Sequence, residues 1–212
     1  MKSFVLFACM VLASRALSQD IELDASVNTS SDIKYQNARG IGIGYHFKTQ
    51  TKWQWGLGLQ YSLRTSSFDN IYPSDADPRI YNFDKVHSEA RRLSMRLNAL
   101  KILKENESFR FALGPEISYN LLSARFSTQF ADSRNFYFTS GTADKSASSI
   151  GVGILLKAEI KNIFSERFSF CLNLRPEVIF GGGNAIGVPY STELKGMIGF
   201  TEMQLGLKYK MK

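Results

Sequence analysis

The chain is poor in the residues that most often carry chemistry: two cysteines and two histidines occur in 212 residues. Cys9 falls in an N-terminal apolar run that reads as a leader, which leaves Cys171 alone and excludes an intramolecular disulfide even in an oxidising compartment. No cysteine or histidine cluster has metal-ligand spacing. No apolar stretch approaches the roughly 18 to 20 residues that a transmembrane helix needs. Lysine and arginine outnumber acids 26 to 19 but never gather into a block or tail, which argues against a nucleic-acid partner. No Pro/Ser linker divides the chain, so its length suits one domain.

What is present begins with a leader. Lys2 gives a positive start, Phe4 to Ala13 are apolar, and Ala16-Leu17-Ser18 offers the small residues of a cleavage site. Residues 1–18 are therefore expected to be a secretory signal peptide and residues 19–212 the exported domain. Leu6-Phe7-Ala8-Cys9 has the look of a lipoprotein box, but the apolar run ahead of the cysteine is too short. Without Lys2 and Arg15 the positive excess is about +5, and anionic lipid head groups are its best candidate partners.

The dominant pattern of the remainder has period two. Ile41, Ile43, Tyr45 and Phe47 alternate with Gly42, Gly44, His46 and Lys48, and Trp53 to Leu63 repeat the pattern after a short turn at Thr49 to Lys52. Leu93 to Ala99 and Phe109 to Tyr119 form a second hairpin across Lys104 to Glu107. Ile150 to Ala158 and Phe168 to Val178 form a third across Asn162 to Glu166. Asp20 to Asn28 and Thr201 to Met211 supply a first and a last strand. Eight strands with both ends on one side predict an all-β, eight-stranded antiparallel up-and-down barrel. Short turns alternate with long links at Thr65 to Val86, Ala124 to Ala147 and Gly181 to Lys195, the arrangement of transmembrane barrels.

The two faces of these strands differ in kind. One carries Arg64, Arg92, Arg96, Arg110, Glu116, Lys157, Glu159, Arg175, Glu177 and Glu202 among glycines and serines. Inward side chains nearly fill an eight-stranded barrel, and a buried charge is tolerable only when paired. Arg92, Arg96, Arg110, Glu116, Arg175, Glu177 and Glu202 are therefore expected to form a lumenal ion-pair network. In that network Arg92 and Arg96 would lie near Glu116, with Arg175 over Gly153 and Glu177 over Gly151. The other face carries aromatics beside the short turns: Phe47, Trp53, Trp55, Phe109, Phe111, Phe168, Phe170 and Tyr209. These suit a periplasmic aromatic girdle, and Tyr61, Tyr119, Phe126, Phe180 and Phe200 an outer one.

Catalytic chemistry finds little support. A nucleophile needs a base in reach, and the only imidazoles are His46, on the polar face, and His87, beside Ser88 and Glu89. Glu89 stands where the lipid A deacylase pattern has its serine. Asp69, Asp75, Asp77 and Asp84 cluster in the first long link without the spacing of a calcium loop. Gly181-Gly182-Gly183 lacks the Lys-Ser/Thr of a phosphate loop. No catalytic residue, metal site or cofactor is expected.

Leu113-Gly114-Pro115-Glu116-Ile117-Ser118-Tyr119-Asn120-Leu121-Leu122-Ser123-Ala124 resembles the fifth strand of the outer-membrane β-barrel family of Bacteroidetes, porin-like or PorT-like. The likeness continues through Arg92 to Leu103 and the closing Leu205-Gly206-Leu207-Lys208-Tyr209, although the chain ends in Lys212 and not in an aromatic. It implies a barrel and says little of function. The expectation is a non-enzymatic outer-membrane protein with a plugged polar lumen. Its partners would be membrane lipids and lipopolysaccharide, with a protein or glycan at the outer loops. The alternatives are a small-solute channel or secretion accessory, and a soluble lipid-binding periplasmic barrel.

Overall fold

The computed structural model describes residues 19–31, 35–48, 52–73, 81–132, 138–180 and 197–211. The expected signal peptide, Asp75, Asp77 and Gly181 to Gly183 lie outside them, as do the side chains of Asp69, Asp84 and Phe126. Eight strands follow in chain order: β1 (Gln19–Ser30), β2 (Ala38–Lys48), β3 (Trp53–Pro73), β4 (Tyr81–Glu105), β5 (Phe109–Asp132), β6 (Phe138–Lys161), β7 (Phe168–Phe180) and β8 (Met197–Met211). Each pairs antiparallel with its sequence neighbour, and β1 closes on β8 from Gln19↔Met211 to Ser30↔Phe200. Closure removes the unpaired edges that would otherwise template aggregation.

The alternation in sequence becomes alternation in burial. Along β7 every second residue from Ser169 to Ile179 is buried and every residue between is exposed. The exposed set is apolar, as in Leu97, Ile117, Val152 and Leu205, while the buried set includes Arg96, Glu116 and Glu202. A soluble lipid-carrying barrel has these faces the other way round, with its apolar residues turned inward.

The turns at the short end satisfy their own backbone. The Asn106 side chain accepts hydrogen bonds from the amides of Ser108 and Phe109 at 3.1 and 2.7 Å. Asn162 opens the β6–β7 turn at φ 59°, a left-handed conformation that asparagine tolerates. On β5, a Cβ at Gly114 would collide with backbone atoms of Ala99 and Leu100, so only glycine fits beside the irregularity at Ile102/Lys104.

In two of the three expected long links the described residues are strand. The β3–β4 ladder continues to Pro73↔Tyr81, the β4–β5 ladder to Asn82↔Asp132 and the β5–β6 ladder to Ala131↔Phe138. β4 reaches 25 residues while β1 has 12, so β3 to β6 extend past the ends of the other four strands. Strict apolar alternation fades beyond Arg64 and Ala124, yet Thr, Ser, Phe and Tyr there keep the backbone extended. Strand pairing outlasts the pattern that revealed it.

Candidate functional site

Among the described residues, the lumen is where the fold concentrates ionisable side chains away from solvent. It is layered. Nearest the long hairpins lies an apolar cluster of Tyr35, Ala90, Leu122, Ala124, Ile179, Ile198 and Phe200. Phe200 was expected on the outer aromatic girdle; it points inward instead, because it shares the parity of Glu202 and Gln204 on β8. Its ring meets Tyr35 edge-on at 5.6 Å between centroids and lies 4.4 Å from the guanidinium carbon of Arg92. A cation so placed over an aromatic face is held by the ring quadrupole.

Below this layer come the ion pairs. Arg92 pairs with Glu177 and also donates through Nε to Asn120 at 2.9 Å. Arg96 pairs with Glu202 and comes within 3.9 Å of Glu116, which in turn pairs with Arg175. Gln204 knits this group together, accepting from Arg175 at 2.8 Å and donating to Glu202 at 2.7 Å and to Gln60 at 3.1 Å. Six of the seven residues expected in the lumen thus fall into two neighbouring groups. The partners differ from the expected ones in two respects. Arg92 meets Glu177 and not Glu116, and Glu177, not Arg175, lies opposite Gly153.

Arg110 joins a separate group toward the short turns. It contacts Glu159 at 3.1 Å and Glu105 at 2.5 Å, while Lys208 contacts Glu159 at 2.6 Å and Asp20 at 3.1 Å. Leu100, Ile102, Ala112 and Leu155 form a second apolar cluster.

A further group was not singled out from sequence. Glu22 pairs with Lys157, lies 2.9 Å from His46 Nε2 and accepts from Asn173 at 2.7 Å. His46 Nε2 is also 3.2 Å from Lys157 Nζ. All four side chains are buried. Each sits at an inward position of its strand, so parity alone would have found them. Cavity space among Glu22, Asp24, His46, Gln60, Arg96, Asn98, Arg175 and Gln204 amounts to about 10 Å³ for the centre of a water molecule. That is close to the least that holds one water.

The eight residues expected in the periplasmic girdle all lie on the outward parity at the short-turn end. Trp53, Trp55 and Phe170 are about 40 % exposed, and the Phe168 ring meets that of Tyr209 at a tilt, 5.2 Å between centroids. Tyr61, Tyr119 and Phe180 are exposed outward toward the opposite end. His87 is exposed on β4, away from the lumen group of His46.

Among solved structures the chain is similar to Neisserial surface protein A (NspA), with a TM-score of 0.55 and 11 % identity over 91 % of this chain and 97 % of that one. It is also similar to a major outer membrane protein from Thermus thermophilus, with a TM-score of 0.50 and 12 % identity over 92 % of this chain and 100 % of that one. At such identities the likeness is one of fold. No protein-family model and no curated protein sequence matches the chain.

Proposed function

We propose that the chain is a non-enzymatic outer-membrane β-barrel protein whose lumen is a structural plug and whose extended hairpins are a contact surface on the cell exterior. The observation that carries this reading is the reversal of the usual protein faces, with leucine, isoleucine and valine outside and paired arginine, lysine and glutamate inside. Only a lipid surround stabilises such an exterior, and strands cross a bilayer only as a closed barrel. The aromatics at the short-turn end support a periplasmic girdle there, with the long hairpins on the outer side. The strand rhythm and the segment Leu113 to Ala124 support membership of the Bacteroidetes-type barrel family.

The plug reading rests on the layers. Two apolar clusters and the cross-lumen ion pairs occupy the interior, and the cavity beside Glu22, His46 and Arg96, about 10 Å³, is too small for a hydrated ion. The hydrogen-bond partners of His46 are Glu22 and Lys157, which are bound to each other as a buried ion pair, and this supports a structural role.

Fractionation with gel migration before and after boiling tests the membrane assignment. The expected result is an outer-membrane protein that shifts on heating; a soluble periplasmic protein without a shift overturns it. Planar-bilayer recording tests the plug. A quiet membrane is expected, and steady reproducible openings would replace the plug with a small-solute channel.

A further inference from the structure

Arg91 and Arg92 are adjacent on β4 but face opposite sides, one 52 % exposed and the other 1 %. Arg91 is thus a charge on the apolar outer surface, and its height there follows from the strand. Lys101, also exposed, is the next outward charge toward the short turns, and only Leu93, Met95, Leu97 and Ala99 face outward between them. Ten residues of strand rise roughly 33 Å, and a tilt of about 40° reduces this to about 25 Å along the membrane normal, the height of a barrel's apolar band. Lys101 and Arg91 therefore mark its two edges, and Arg91 stands at head-group level on the side of the long hairpins.

A groove of about 580 Å³ opens beside it. A barrel's outer wall is convex, so a groove there needs a local cause, and the register supplies one. Arg91 lies opposite Ser123, which lies opposite Ser146; Leu93 lies opposite Leu121, which lies opposite Ser148. Three short serines thus sit among long neighbours, with Tyr61, Leu93, Tyr119 and Leu121 as walls toward the apolar band. The volume lies within the roughly 300–1,000 Å³ of ligand sites.

The upper margin is charged. Arg125 is exposed one position diagonal to Arg91, a spacing of roughly 7–8 Å between such pairs. Glu89 pairs with Arg91 and lies opposite Arg125 in register. Arg39 is exposed in the same row as Arg91, across Leu63. An apolar groove topped by guanidinium and hydroxyl donors matches an amphiphile with acyl chains below and phosphate above.

Resting on the outer-membrane reading above, we propose that this groove binds one phosphorylated glycolipid of the outer leaflet. Arg91, Arg125 and the hydroxyls of Ser123 and Ser146 hold the phosphate, and Tyr61, Leu93, Tyr119 and Leu121 hold an acyl chain.

The test is lipid retention by the full chain in nanodiscs containing a diphosphorylated lipid A, its dephosphorylated form or phosphatidylglycerol, read by native mass spectrometry. The heat shift of each sample is measured alongside. The expected result is one diphosphorylated glycolipid retained per barrel. Retention should fall about tenfold in R91Q/R125Q and in S146W, which fills the groove, and stay unchanged in K101Q at the other rim. Equal retention of the dephosphorylated lipid or of phosphatidylglycerol overturns the proposal, as does unaltered retention in both groove variants while the heat shift persists. Loss of the heat shift in the unaltered protein would instead overturn the membrane reading itself.

Discussion

Lys157 on β6 reaches across the lumen to Glu22 on β1, and both side chains are sealed at 2 % exposure. The two residues are 135 positions apart, so the pair ties the first strand to the sixth through the interior and independently of the backbone ladder. Asn173 and His46 complete the shell of the carboxylate.

Removing one partner should therefore cost more than removing both. Glu22→Ala leaves a buried ammonium facing a histidine and an asparagine, a loss of about 3 to 5 kcal/mol. The double variant Glu22→Leu, Lys157→Met should recover much of that. Urea unfolding in detergent micelles measures both; an E22A barrel as stable as the unaltered one would remove Glu22 from the packing argument.

Two glycines should respond in opposite ways to a single methyl group. At Gly114 the added Cβ meets backbone atoms of Ala99 and Leu100, which cannot swing aside, whereas at Gly58 its nearest neighbours are 3.8 Å away. Gly114→Ala should destabilise by about 1–3 kcal/mol, and Gly58→Ala should change stability by no more than about 0.5 kcal/mol. The same unfolding assay ranks them, and equal effects would contradict the close approach of Gly114 to the backbone of Ala99 and Leu100.

The apolar band should reject charge according to depth. Leu97 is 46 % exposed and stands midway between Lys101 and Arg91, so Leu97→Arg places a guanidinium near the bilayer midplane at a cost of about 2–4 kcal/mol. Ser123→Arg, at the head-group rim, should cost about 0–1 kcal/mol. Comparable stability of the two variants in bilayers would argue against a lipid surround.

Cys171 gives a probe of lumen closure. Its side chain is buried and faces inward on β7. In a chain carrying Cys9→Ser, a membrane-impermeant maleimide should leave the folded barrel unlabelled and label it fully after boiling. Rapid labelling of the folded form would mean that the lumen admits a solute far larger than water.

The faces of the strands were legible because a pleated backbone turns successive side chains to opposite sides, so Arg92, Arg96, Glu116, Arg175, Glu177 and Glu202 all read as inward. Phe200 went astray where residue type was read ahead of parity; its neighbours Glu202 and Gln204 already assigned it to the lumen. The placement of Glu177 over Gly153 departs from the expected register by two residues, a slip that preserves the face and changes only the partner. The extended hairpins were missed because the apolar alternation ends near Arg64 and Ala124, while backbone hydrogen bonding, which needs no apolar face, continues beyond them.

The sequence by itself determined the strand number, the two faces and the apolar exterior, since each depends on neighbours two positions apart. Which charge meets which was decided only by the closed barrel. Arg96 and Glu202 are separated by 106 positions, and Lys157 and Glu22 by 135. Such pairs depend on the register of every intervening ladder and on the closure of β1 against β8, quantities that accumulate around the whole ring and that no local pattern contains.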